Sequence, residues 1–370
     1  MYIEIHILQN FAPSNLNRDD TGNPKDSEFG GVRRARISSQ CIKRAIRQHP
    51  AFTKATTVEN AVRTRWMTRL LIEPLVKVGK SEEQAQAVAE VLAVQYSKMD
   101  KGHTSVLLYL SNSEIETSVQ NLLAKWDEII ASLKDGKSPI IEAMAKEMFK
   151  ALKNRTSAPD IALFGRMLAE KPELNIDAAC QIAHALSTHR VNMEMDFYTA
   201  VDDLSTDEET GAGMMGVIGF NSACFYRYAR IDWEQLVKNL GGDKALAKKT
   251  VEGFLRAAAK AVPTGKQNGF AAQNPPDFLL GVARTDGYSW SLANAFETPV
   301  RPGREGGLMS TSITVLDGYW GNLTNAYGGK GVKPVVLVVN GGAVLENLKT
   351  AAVINLDKWV ETLLAELPKE

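Results

Sequence analysis

The chain opens on strict alternation. Tyr2, Glu4, His6 and Leu8 fall on one side of a strand over Tyr2 to Leu8, with Ile3, Ile5 and Ile7 on the other. From about Ala51 to Leu186 the apolar spacing becomes helical, and Val58, Val62, Trp66 and Leu70 step by four. Ser113 and Glu116 read as a capping box before Ile115, Val119, Leu122, Trp126 and Ile129. Ser138-Pro139 starts a further helix with proline at its first position, and Asn175 caps one carrying Ala179, Ile182 and Ala183. Ser105 to Leu110 suits strand or helix equally. Mixed structure then returns. Val191 to Val201 and Val217 to Ala229 predict two strands joined by a loop containing DEETGAGMMG. Asp232 with Gln235 opens a helix, and Phe278 to Ala283 reads as a strand. Val335 to Val339 is wholly apolar and predicts a central buried strand; Leu356 to Leu367 closes the chain as an amphipathic helix. An early strand, a large helical insert, a hairpin and a final run of strands and helices predict an α+β fold split by two insertions. Neither an internal repeat nor a low-complexity linker is visible.

Charge changes this picture in one place. The 370 residues carry 43 basic and 43 acidic side chains, yet Arg33, Arg34, Arg36, Lys43, Arg44 and Arg47 crowd one segment without an acid. Local positive charge on a neutral background points to a polyanion site. In FGGVRRARISSQCIKRAIR, Gly30 and Gly31 let a ligand's backbone approach closely. Arg34 and Arg36 share a strand face, and Ser38 or Ser39 caps a short helix. On that helix Gln40, Lys43, Arg44 and Arg47 form the polar side, against Cys41, Ile42, Ala45 and Ile46. No Glu or Gln completes a capping box, so amides at the helix start are free for a phosphate. The plainer reading is a solvated basic face on an amphipathic helix. The glycine turn and the arginine strand favour phosphate.

The same residues carry a resemblance. NLNRDD at Asn15 to Asp20, followed by the FGG-to-RAIR segment, resembles the N-terminus of the CasC family, the CRISPR-RNA-binding backbone subunit of type I-E Cascade. It continues through DIALFGRM (Asp160 to Met167), IAHALSTH (Ile182 to His189), DFYTAVDDL (Asp196 to Leu204), FYRYA (Phe225 to Ala229), VPTGKQ (Val262 to Gln267) and LANAFE (Leu292 to Glu297). The resemblance implies a prokaryotic protein shaped as a right hand. Its RRM-like (ferredoxin-like) palm comprises residues 1–50 and 226–370, its inserted helical fingers 51–186, and its β-hairpin thumb 187–225. An RRM-type sheet is a common platform for single-stranded RNA. The implied partners are CRISPR RNA, a target DNA strand, further copies of the chain, and the large, small and guide-end-binding Cascade subunits.

The resemblance also assigns roles. Arg18, Lys25, Ser38, Gln40, Lys43 and Arg47 would contact the RNA backbone. Arg18 and Lys25 sit beside Asp19, Asp20 and Asp26, so a solvated turn competes on composition alone. Phe197, Tyr198 and Thr199 would stand where one subunit's thumb displaces a base of the RNA bound by its neighbour; a protein interface is the plain alternative, because adjacent aromatics in a strand face opposite ways. Met167 would be a wedge interrupting base stacking, although a lone Met is far more often core. Lys266 and Gln267, after Gly265, could touch phosphate or simply form a surface turn.

Enzyme signatures are poor. His184 and His189 make a weak metal pair, and Asp19-Asp20 and Asp202-Asp203 read as caps or turns rather than cation ligands. Gly213 to Gly219 has no Walker lysine and no GxGxxG, and no GxSxG or Cys-His signature appears. No catalytic residue, metal or cofactor is expected. The rival classes are a metal-dependent endoribonuclease, as in type III effector complexes, and an assembly scaffold without RNA affinity. Cys41, Cys180 and Cys224 are too scattered for a disulfide framework and read as buried thiols. With neither a signal-peptide pattern nor a transmembrane-length stretch, the expected compartment is the cytoplasm, with no membrane contact.

Overall fold

The computed structural model describes residues 1–200, 214–303, 307–339 and 343–368. The chain divides into two compact units, one of residues 1–52, 181–230 and 252–369, the other of 53–180 and 231–251. The fold class is α+β, and no described helix is long and apolar enough to cross a membrane.

The first unit is built on a sheet. Its strands are β1 (Tyr2–Ser14), β2 (Asp26–Phe29), β3 (Val32–Ile37), β4 (Ala185–Ser187), β5 (Glu194–Ala200), β6 (Met214–Asp232), β7 (Phe278–Arg284) and β8 (Val332–Val338). The order runs β8-β7-β1-β6-β4-β3-β2, and β5 pairs with β6 as an antiparallel hairpin. Antiparallel pairing sets Tyr2 opposite Arg284 and Leu8 opposite Phe278. The strand expected to be central, around Val335, is the edge strand β8, where Pro334 is tolerated.

Both faces of β1 are buried, although its sequence alternates. Ile5 and Ile7 face Ile42 and Ile46 of α1 (Ser39–Gln48). Leu8 joins Phe278, Leu280 and Val282 against Ile313, Leu316 and Trp320 of α2 (Met309–Tyr327). The polar members of the alternation are satisfied internally. Glu4 accepts from the Tyr228 hydroxyl at 2.7 Å and the Trp290 amide at 3.0 Å, and pairs with Arg284 at 3.3 Å. Arg284 also meets Asp286 at 2.6 Å and lies 4.0 Å over the Trp290 ring. An open sheet face for RNA is therefore not what β1 presents. On β7, Gly281 leaves room for Trp359 and Leu363 of α3 (Leu356–Ala365), and the Trp359 indole donates to the Val335 carbonyl at 3.0 Å.

The second unit is mainly helical, with helices Met67–Lys77, Glu82–Tyr96, Asn112–Ala124 and Pro139–Leu152 around Leu71, Leu92, Leu122 and Ile141. Three local expectations are corrected. The capping box is Ser111 with Glu114, not Ser113 with Glu116. Val62 lies in a short strand, Val62–Thr64, paired with Leu108–Leu110, because the helix before it stops at Thr56. No helix follows Asn175; Cys180–Ile182 and Ala185–Ser187 are strands. Ser138 does cap the helix begun by Pro139.

Candidate nucleic-acid interface

Ser38 is the N-cap of α1: its hydroxyl accepts from the Cys41 amide at 3.3 Å, while its own amide donates to Asn17 Oδ1 at 2.8 Å. The second bond ties the helix start to the loop between β1 and β2. That loop is shaped by Asp19, whose Oδ1 accepts from the Thr21 hydroxyl at 2.7 Å and from the amides of Thr21 at 2.9 Å and Asn23 at 3.0 Å; the hydroxyl bond first, then the amides, hold its carboxyl below the usual range. Asp19 thus serves the turn, as its sequence suggests. The Asp202-Asp203 pair lies outside the described residues.

Around this loop the basic side chains gather. Lys25 and Arg44 both stand near Cys41, whose thiol burial pushes up despite their charge. Lys25 and Arg36 stand near His184; burial lowers that imidazole, and the two cations lower it further. Arg36 reaches His184 Nδ1 at 3.2 Å and donates to the Asp26 carbonyl at 2.9 Å. Gly265 packs on the backbone of Asn15 and Leu16, which sets the exposed Lys266 beside the same loop with φ at 49°. Arg18, Gln40 and Arg44 are exposed, and Lys25 and Lys43 are half-buried. Among the described residues, none of Arg18, Lys25, Lys43, Arg44 and Lys266 meets a carboxylate. Arg44, part of the basic cluster in the sequence but not among the contacts that the resemblance assigns, joins them one helical turn after Gln40.

Other expected contacts face inward. Arg34 is 0% exposed. Its guanidinium donates to the carbonyls of Phe29 and Ser187, each at 3.1 Å, and of Phe296 and Glu297 at 2.8 and 3.1 Å. It ties β3 to the segment after Leu292 and presents no donor to a phosphate. Gly30, at φ +61°, meets the Glu297 carbonyl where a β-carbon would be, so its close approach is to this chain's own backbone. Gly31, at φ +70°, faces open space. Arg47 is buried rather than on the polar face of α1. The Gln267 amide donates inward to the Pro263 and Ala272 carbonyls at 2.9 and 3.3 Å.

The β5–β6 hairpin sets Phe197 opposite Val217 and Tyr198 opposite Gly216. Met195, Phe197, Met215 and Val217 consequently share one face, with exposures of 61 to 67%. Thr199 lies on that face, whereas Tyr198 lies on the other, over Gly216, where only hydrogen fits beneath its ring. At the hairpin root Asn15 Nδ2 donates to the Gly219 carbonyl at 2.9 Å.

In the second unit Met167 is 86% exposed, so it is not a core methionine. Its motif neighbours are structural. Asp160 accepts from the Tyr109 hydroxyl at 2.7 Å, Gly165 leaves space for the Ile176 carbonyl, and Arg166 pairs with Glu114 at 2.6 Å. His189 Nε2 accepts from the Cys224 amide at 3.2 Å, with Nδ1 2.8 Å from the Arg190 carbonyl, so both nitrogens are engaged. Among the described residues no group of three His, Cys, Asp or Glu side chains could hold a metal ion.

The family model for CT1975-like proteins matches residues 3–362. A chain of a pre-nicking CRISPR RNA-guided surveillance complex is 30% identical, with 99% of each chain covered and a TM-score of 0.88. A chain from a second solved CRISPR RNA-guided surveillance complex is 26% identical over 99% of this chain and 100% of its own, with a TM-score of 0.79. A search of curated proteins found no match. With nearly every residue inside the matched span, the chain belongs to the CT1975-like protein family.

Proposed function

We propose that this chain binds CRISPR RNA as the repeating backbone subunit of a type I-E Cascade complex. One observation carries the reading: Lys25, Lys43 and Arg44 gather at the start of α1, without carboxylate partners among the described residues, in a chain whose 43 basic and 43 acidic residues balance. Likeness to chains of CRISPR RNA-guided surveillance complexes favours RNA as the polyanion. Contacts to phosphates leave base edges free, so the guide can read a target DNA strand by pairing. In this reading the sheet unit is an RRM-like palm bearing the hairpin thumb, and the helical unit is the fingers. RNA follows the α1 end rather than the covered faces of β1. Phe197, Tyr198 and Thr199 act on RNA held by a neighbouring copy, and Met167 separates stacked bases. The large, small and guide-end-binding subunits complete the cytoplasmic assembly. The chain itself cuts nothing.

The test is a salt titration of guide-RNA binding. Replacing Lys25, Lys43 and Arg44 together by Ala should weaken binding and flatten the slope of log K against log salt by about 2, from roughly 0.7 per single-strand phosphate. Unchanged affinity and slope in the folded variant rejects this surface. RNA cleavage in magnesium or manganese, abolished by Asp19→Ala or Asp202→Ala, would favour the endoribonuclease instead.

A further inference from the structure

The helical unit carries a second basic surface, and an aromatic ring lies at its centre. Helical spacing makes Trp66 look like a core residue, yet it is 40% exposed. The Arg69 guanidinium lies 4.0 Å over its ring, and His103 meets it edge-on with centroids 5.0 Å apart. Arg63, on the strand before it, lies 4.2 Å over the Tyr109 ring. Two backbone features hold the group together. Arg65 donates through Nε to the Thr104 carbonyl at 2.8 Å, and the Thr104 amide donates to the Arg65 carbonyl at 2.9 Å. His103 closes a tight hairpin opposite Asp100, whose two-residue turn, Lys101 at φ 49° and Gly102 at φ 80°, leaves Lys101 exposed.

The charges are unequally matched. Arg65 pairs with Asp100 at 3.6 Å. Arg63 and Arg69 are exposed and their side chains meet only rings: among the described residues neither guanidinium donates a hydrogen bond or faces a carboxylate. A guanidinium flat on an aromatic ring is pre-positioned at little entropic cost and keeps its edge donors pointed outward. Its outer plane is also a surface on which a nucleobase can stack. Planar cations, an exposed indole and a lysine at a hairpin tip are what an unpaired strand requires. A duplex keeps its base faces stacked internally and cannot use the rings.

We infer that this surface, Arg63, Trp66 and Arg69 with Lys101, is a binding site for single-stranded nucleic acid, formed within the helical unit alone. It takes one or two unpaired bases onto the Trp66–Arg69 stack and their phosphates onto Arg63 and Lys101. It does not rest on the RNA site proposed at α1, and the experiment separates the two.

The full chain is titrated with labelled single-stranded RNA, single-stranded DNA and a duplex of equal length, at several salt concentrations. Two backgrounds are used, native and Lys25→Ala, Lys43→Ala, Arg44→Ala. In both, Arg63→Ala with Arg69→Ala should weaken single-strand binding and reduce the salt slope by about 0.7, for the one phosphate held by Arg63. Trp66→Ala should weaken single-strand binding by at least about fivefold with the slope unchanged, because stacking carries no charge. Duplex binding should not respond to Trp66→Ala. Arg63→Lys with Arg69→Lys keeps the charge and should restore the slope but not the full affinity. RNA and DNA arms losing affinity alike place recognition on bases and phosphates; loss in the RNA arm alone adds the 2′-hydroxyl. Native single-strand affinity in the folded Arg63→Ala, Arg69→Ala and Trp66→Ala variants overturns the site. So does loss of a co-purifying protein with nucleic-acid binding intact, or an equal effect of Trp66→Ala on duplex. If the α1 variant binds normally while these variants do not, the α1 reading falls and this one stands.

Discussion

The backbone of Gly30 lies directly against the carbonyl oxygen of Glu297, leaving no space there for a β-carbon. The same oxygen accepts from Arg34 Nη2 at 3.1 Å, so one carbonyl organises both the glycine turn and the buried arginine. The most distinctive segment of the sequence therefore combines two jobs. Gly30 and Arg34 fasten β3 to the chain after Leu292, and the fastening holds α1 with its basic face outward.

Substitution separates these roles. Gly30→Ala must push the Glu297 carbonyl aside and also adopt φ +61°, at a cost of about 3 kcal/mol or more. Gly31→Ala meets open space and bears only the strain of φ +70°, about 1 kcal/mol. Urea unfolding of both variants should show this order. Equal stabilities, with RNA affinity lost in Gly30→Ala, would return Gly30 to ligand contact.

Acid should destabilise the sheet unit through His6. Its Nδ1 lies 2.9 Å from the Tyr226 hydroxyl, and burial first, then the charge of Arg284, depress its pKa from 6.5 to about 3. The unfolded chain thus gains a proton near pH 6.5 that the folded chain refuses until about pH 3, and stability falls as pH drops between those values. The loss is at most about 1.4 kcal/mol per pH unit. Glu4 opposes it: burial raises that carboxyl, so its contribution is present at low pH and lost as pH rises through the raised value. His49, His184 and His189, also lowered, remain in any His6 variant and keep part of the acid slope. Comparing urea unfolding at about pH 7 and about pH 5, His6→Phe should lose clearly less stability than the native chain. An equal loss would mean that His6 is not held neutral.

The hairpin face should matter between copies. Phe197→Ser with Val217→Ser alters two exposed side chains, at 61 and 63%, and should change stability by less than about 0.5 kcal/mol. Removal of residues 196–217 with a short flexible linker should likewise spare the sheet, since the Asn15 bond to Gly219 stays. Both changes should preserve RNA affinity and reduce multi-copy assembly on a long guide, as read by sedimentation. Normal assembly from either protein would exclude the hairpin as the bridge.

Much of this protein is legible locally. Alternation in Tyr2 to Leu8, the Ser38 cap, the Pro139 helix start, the paired strands around Phe197 and Val217, and the concentration of Lys43 and Arg44 all depend on neighbours a few residues away. Such short-range geometry is written in residue order, and the motif resemblance adds the likeness to CRISPR surveillance-complex subunits. Burial is decided by partners far along the chain. Glu4 and His6 look like a solvent-facing set until Arg284, Tyr226 and Tyr228 arrive from more than two hundred residues away to satisfy them. Arg34 and Lys43 are both basic residues in one motif, but only the tertiary contacts send one inward to four carbonyls and leave the other without a carboxylate partner. Trp66 shows the converse: its spacing suits a core, and the chain turn after Thr56 places it at the surface beneath Arg69. A residue's chemistry comes from the sequence; whether water, a ligand or the protein's own backbone meets that chemistry depends on which distant segment packs against it, because desolvation is a property of the assembled neighbourhood.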